Sequence, residues 1–177
     1  MKKILILCAT IVILLLQSSL ASAQSQKDYQ NQGIFGLQFV ITISWGANQT
    51  QQPIHPGEVR TVPVLIDYSV VRGAFGNILL HLLGGRPFPL RLSIVDKPDW
   101  CTAYLSIEDF IGVIQPDMIQ EVYSVLNIQL SENAPLNHTL GYAKIHGSIE
   151  SIKGPFDILT IIQGYDINAT ISFITSP

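Results

Sequence analysis

Short runs rich in Ile, Val, Leu and Thr recur along this chain, parted by turns that carry proline, and no stretch sustains the 3.6-residue period of a helix. Strand-like runs at residues 90–95, 102–107, 121–130, 141–149, 156–162 and 167–174 follow one another at the spacing of a β-sandwich. Between them lie Lys97-Pro98-Asp99, Gln115-Pro116-Asp117, Glu132-Asn133-Ala134-Pro135 and Lys153-Gly154-Pro155, where proline stops a hydrogen-bond ladder and turns the chain. Residues 121–130 alternate most cleanly. Val122, Ser124, Leu126, Ile128 and Leu130 face one way, and Tyr123, Val125, Asn127 and Gln129 the other, as in an antiparallel strand with one face on a core.

Two strands are expected upstream. Residues 34–45 place Phe39, Ile41, Ile43 and Trp45 on one face, and residues 58–71 favour an extended chain through Val59, Val62, Val64, Leu65 and Ile66. Pro63 lacks a backbone donor, which points to an edge position or a bulge. Residues 46–57 read as a polar, turn-rich connection. Residues 78–83, between glycines, are too short for periodicity to separate strand from helix, and residues 108–112 are the other stretch that could be a short helix. About eight strands without helical crossovers indicate an all-β fold of two packed antiparallel sheets.

The N-terminus has the layout of an export signal: Lys2 and Lys3, an apolar run over residues 4–16, then Ala21-Ser22-Ala23. Cleavage is expected before Gln24. A retained anchor would need roughly 20 apolar residues to cross a bilayer, and this run turns polar at Gln17, Ser18 and Ser19. The expected organisation is a signal peptide at 1–23, a loose polar arm at 24–33 and one domain at 34–177. Without Lys2 and Lys3, eight basic residues face thirteen acidic ones, a net charge of −5. A mildly acidic chain with no basic run argues against nucleic acid and against an anionic membrane surface as partners. Removing Cys8 leaves Cys101 with no partner for an internal disulfide, and a buried small hydrophobe beside Trp100 is the plain reading. Asn48-Gln49-Thr50, Asn137-His138-Thr139 and Asn168-Ala169-Thr170 are acceptor triplets for N-glycosylation, of which Asn168 falls inside a strand-like run.

Catalytic patterns are absent from the sequence. There is no Gly-x-Ser-x-Gly elbow, His-Glu-x-x-His, phosphate-cradling glycine loop or zinc-spaced cysteine pair. His55, His81, His138 and His146 show no ligand spacing, and Asp96, Asp99, Glu108 and Asp109 fit no calcium-loop pattern. No catalytic residue, metal ligand or cofactor is expected.

One set of landmarks resembles a known family. Pro56-Gly57-Glu58 precedes the 62–66 strand, Lys97-Pro98-Asp99-Trp100 follows residues 92–95, and Ile114-Gln115-Pro116 precedes the 122–130 strand. Asn133-Ala134-Pro135 then leads to Gly141-Tyr142-Ala143-Lys144-Ile145. Over roughly residues 54–149 this order resembles the NEW3 and CARDB type of immunoglobulin-like domain of archaeal and bacterial extracellular proteins. It departs from that pattern at residues 73–89 and at Asp117, where the family usually has glycine. The resemblance implies an immunoglobulin-like sandwich and an accessory or adhesive surface module without catalytic residues, meeting protein or glycan at the cell surface. The alternative is a subunit of a surface filament or layer, in which residues 34–45 insert into a neighbour's sheet by strand addition. A secreted hydrolase ranks third.

Overall fold

Period-two burial organises the chain into strands β1 (Ala23–Asp28), β2 (Leu37–Gly46), β3 (Val59–Arg72), β4 (Pro87–Asp96), β5 (Cys101–Leu105) and β6 (Asp109–Val113). They are followed by β7 (Gln120–Leu130), β8 (Leu140–Ile149), β9 (Ile152–Lys153), β10 (Thr160–Ile162) and β11 (Tyr165–Ile174). Two short helices, α1 (Ala47–Gln51) and α2 (Gly76–Leu83), interrupt them. The structure is a computed structural model that describes residues 23–28, 37–72, 76–115, 117–153, 160–162 and 164–177. The expected signal up to Ser22, the end of the polar arm and the start of the run at 156–162 lie outside the described residues.

Two antiparallel sheets face each other. One has the order β1-β2-β3-β7-β5 and the other β11-β8-β4-β6, with β9 and β10 forming a separate ribbon. The order β2-β3-β7-β5 against β11-β8-β4 reproduces the A-B-E-D and G-F-C sheets of an immunoglobulin-type sandwich. The chain order differs: β5 reaches the D position before β6 reaches the position beside C. From β3 to β8 every successive strand lies in the opposite sheet.

The core is one cluster built from the inward faces. Leu37, Phe39, Ile41, Ile43 and Trp45 of β2 and Val62, Val64, Ile66, Tyr68 and Val70 of β3 are buried from one side. Leu90 and Leu92 of β4, Ala143, Ile145 and Ile149 of β8, and Ile167, Ile171 and Phe173 of β11 meet them from the other. Each fully buried large apolar side chain contributes roughly 1.5–3 kcal/mol of transfer free energy. Two glycines make room for rings: Phe88 lies opposite Gly112 across β4 and β6, and Phe173 opposite Gly141 across β8 and β11. A Cβ on Gly112 would meet the Phe88 ring at 2.7 and 2.9 Å, so each ring covers its cross-strand glycine.

Pro63 occupies an interior strand without breaking a ladder, and its neighbours show why. Val125, its partner in β7, sends its carbonyl and amide toward the β5 side, to Ser106 N and Ser106 Oγ. The Pro63–Val125 pair is therefore the non-hydrogen-bonded kind, and Pro63 turns its nitrogen toward β2. The β2–β3 pairing ends at Trp45 and Val64, one residue short of Pro63. The missing donor falls where β3 is locally an edge.

Three elements differ from the sequence reading, and the stretch it leaves open, residues 78–83, is helical. Gln24 to Asp28 of the supposedly loose arm, with Ala23, form the edge strand β1, in register from Ala23–Gly46 to Asp28–Ile41. An edge strand needs only backbone pairing on one side, so a polar sequence suffices. Residues 109–113 are a strand, β6, because Gly112 seats the Phe88 ring. Residues 76–83 settle as α2, and the polar connection after β2 contains the single helical turn α1. β2 is paired along both edges, by β1 and β3, within the chain.

Candidate functional site

The four histidines singled out stand on separate elements, while Asp96 and Asp99 both lie near Tyr142 and Glu108 and Asp109 near Arg91. Asp109 pairs with Arg91 at 2.7 Å, and Asp96 accepts from the Tyr142 hydroxyl at 3.3 Å. His146 lies on the outer face of β8, 3.3 Å from Asn168 Oδ1 and 3.5 Å from Asp166 Oδ1. His55, His81 and His138 are exposed on separate elements. Among the described residues no group of three His, Cys, Asp or Glu side chains could hold a metal ion. Cys101 is buried, and burial pushes its thiol pKa up despite the Lys97 ammonium, which lowers it.

All three glycosylation asparagines are exposed. Asn48 lies in α1, Asn137 in a loop with left-handed backbone (φ 68°), and Asn168 on the outward face of β11. The strand position of Asn168 therefore does not hide it.

Two open depressions mark the flanks. One, of about 340 Å³, is lined by Ser44 to Gln49, Pro63 to Leu65 and Tyr123. Trp45 Nε1 and Gln49 Oε1, on two of the lining residues, are buried with no hydrogen-bond partner among the described residues. The other, of about 260 Å³, lies against residues 94–97 and Ala103. Neither gathers a nucleophile with a base.

Large apolar side chains are exposed at several places, among them Ile111 on β6, Tyr123 on β7 and Leu140 on β8, and four of them belong to α2 and the loop before β7. Arg72, the last residue of β3, donates to Asn77 Oδ1 at 3.0 Å and pairs with Asp117. One guanidinium thus ties the start of α2 to the loop between β6 and β7. The residue after each anchor is apolar: Ile78 follows Asn77 and Met118 follows Asp117. Ile78 is 64% exposed, Leu82 55%, Met118 58% and Ile119 72%. Ile78 and Leu82 share one face of α2 at a four-residue spacing, while Leu83 is buried and anchors the helix. Backbone bonds fix the far side of α2 as well, from Gly85 N to Ile114 O and from Ile114 N to Arg86 O, both 3.0 Å. Beneath this end a polar network crosses the sandwich. Tyr68 Oη donates to Gln120 Oε1 at 2.8 Å and accepts from Val113 N at 3.4 Å, and Gln120 Nε2 donates to Val113 O at 2.8 Å. The apolar end is therefore held on a stiff base.

None of these four residues stood out in the sequence. A short apolar run between glycines reads as core, and the available signal was Met118-Ile119 inside a turn that should be polar. No helix among the described residues is long and apolar enough to cross a membrane. Compared with models of known protein families and with curated proteins, the chain matches none.

Proposed function

We propose that this chain is a non-catalytic extracellular or cell-surface module that works by contact, and that the α2 end is its contact surface. The observation that carries the reading is the group of four large apolar side chains held more than half exposed at one end of the sandwich. Side chains of this kind gain free energy only when something covers them, and a rigid base removes the ordering cost of doing so. The export signal and the exposed glycosylation triplets support an extracellular setting. The landmarks shared with the NEW3 and CARDB type support an accessory or adhesive role. Assembly by strand addition through residues 34–45 is less favoured, because β2 would first have to give up β1 or β3.

Fractionation of the producing cells tests this. The wild-type chain is expected with the envelope, and a Leu82→Asn/Ile119→Asn double variant in the medium. Equal retention of both would remove the α2 end as the contact surface.

A further inference from the structure

The depression beside α1 has a floor built by strand register. Ser44 pairs with Leu65 across β2 and β3, and Leu65 with Tyr123 across β3 and β7. Their neighbours Trp45, Val64 and Ser124 are buried, so Ser44, Leu65 and Tyr123 form one row on the outer face of the sheet. Pro63 extends this row onto the stretch of β3 that β2 leaves unpaired. Tyr123 is 61% exposed, and its hydroxyl donates to the Glu121 carboxylate two residues along the same face, which holds the ring in place. Where the chain leaves β2, α1 supplies the rest of the lining through Ala47, Asn48 and Gln49.

Asn48 decides what occupies this site. It is exposed, it heads the acceptor triplet Asn48-Gln49-Thr50, and it lines the depression. A sugar joined to it starts at the depression and stays there, at an effective concentration set by the tether rather than by supply. The chemistry matches as well. A sugar ring has apolar C–H faces and a polar rim; Pro63, Leu65 and Tyr123 offer apolar surface, with Ser44 and Gln49 polar beside it. Thr50 is buried, and its hydroxyl donates to Ala47 O at 3.0 Å. The triplet is therefore closed once α1 forms, and the sugar must be added before that turn folds.

We propose that this depression seats the chain's own N-glycan, with the first sugar on Asn48 packed against Tyr123, Pro63 and Leu65. The donor is a lipid-linked oligosaccharide diphosphate of the exporting cell. The Asn48 amide nitrogen bonds to the anomeric carbon and loses a proton; the anomeric C–O bond breaks and the lipid diphosphate leaves. The seated sugar then covers the Tyr123 ring and ties α1 to β7. This proposal shares the extracellular setting with the proposed function and does not depend on the α2 end.

The test uses the full chain from a eukaryotic secretory host that adds high-mannose glycans, with the occupancy of each site read by glycopeptide mass. Thermal melts compare the intact glycoprotein, protein trimmed by an endoglycosidase to one N-acetylglucosamine per site, and protein stripped by an amidase. Asn48 is expected to be modified. Trimming is expected to leave Tm unchanged, and stripping to lower it by about 2–4 °C, the scale of one aromatic contact in a domain of this length. That loss is expected to vanish in Asn48→Gln, which leaves the triplets at Asn137 and Asn168 intact, and to fall by at least about half in Tyr123→Ala. Each variant is compared with its own stripped form, so a change in its baseline stability cancels. An unmodified Asn48, no loss on stripping, or a loss already complete on trimming overturns the proposal. So does a loss that persists undiminished in Asn48→Gln or in Tyr123→Ala.

Discussion

Gly141 offers the sharpest test of how the core is packed. It pairs directly with Phe173 across β8 and β11. A Cβ built on it would lie 2.6 Å from Phe173 Cζ and 2.7 Å from Trp100 Cη2. These two rings pack edge to face, with centroids 6.2 Å apart and planes at 82°. Gly141→Ala therefore forces both rings to shift. Overpacking of this kind costs about 1–3 kcal/mol, and disturbing the ring pair adds about 0.5–1.5 kcal/mol. A stiffer unfolded chain returns about 0.4–1 kcal/mol. The expected net loss is about 2 kcal/mol, which lowers Tm by roughly 4–8 °C in a domain of this size. Gly147→Ala is the internal control. Its nearest neighbours are side-chain methyls, Ile167 Cγ2 at 3.0 Å and Leu92 Cδ2 at 3.3 Å, which can give way, so its expected loss is below about 1 kcal/mol. Urea unfolding followed by tryptophan fluorescence and circular dichroism measures both, with Trp100 reporting from the disturbed pair. A Gly141→Ala protein within about 0.5 kcal/mol of wild type, or less perturbed than Gly147→Ala, would refute the packing argument.

Cys101 is expected to resist thiol reagents in the native state, with labelling that accelerates in step with unfolding by denaturant. Burial raises its folded pKa, so the native state holds the proton longer. Stability then falls as pH rises past the unfolded thiol's value near about 8.5, and Cys101→Ala should flatten that decline in alkaline melts. Glu58 behaves in the opposite sense. Burial pushes its carboxyl up, but the His55 amide and the Arg60 guanidinium outweigh it, so the folded pKa lies below the ordinary glutamate value. Its contribution is present above that value and lost as pH falls through the lowered one; Glu58→Gln should show a smaller stability loss between neutral pH and acid. Arg60 also donates to the carbonyls of Gln49 at 3.0 Å and Pro53 at 3.2 Å. Arg60→Lys is expected to cost about 1–2 kcal/mol in denaturant melts, because an ammonium cannot hold the same fork. Expression in a host with N-glycosylation should add glycan mass at Asn48, Asn137 and Asn168, and an unmodified Asn168 would show that its strand setting excludes the transferase.

The strands were legible because burial on one face imposes a two-residue period, which β7 and β2 display along their length. For Pro63 the sequence offered an edge position or a bulge, and the structure places it in the interior strand β3 just beyond the last residue paired with β2. Partnership was not legible. Residues 109–113 carry too few side chains to show a period, and Gly112 makes sense only once Phe88 lies opposite. The polar β1 has no apolar face to announce it. The α2 end escaped for a different reason: Ile78 and Leu82 carry the same residue types as the core, and exposure belongs to the fold rather than to the residue.

Between β3 and β8 the chain changes sheet at every step. No strand in that stretch can pair with the one before or after it, so each ladder there closes a long loop before it gains a single bond. Folding is accordingly expected to be slow for the domain's length, since non-local closure must precede its reward. The same lacing governs disassembly. Neither sheet can be lifted from the other while the connections remain intact, so a pull on the ends meets the whole interlaced block rather than one peeling edge. Topology here supplies a cross-tie of the kind that a disulfide supplies in other domains.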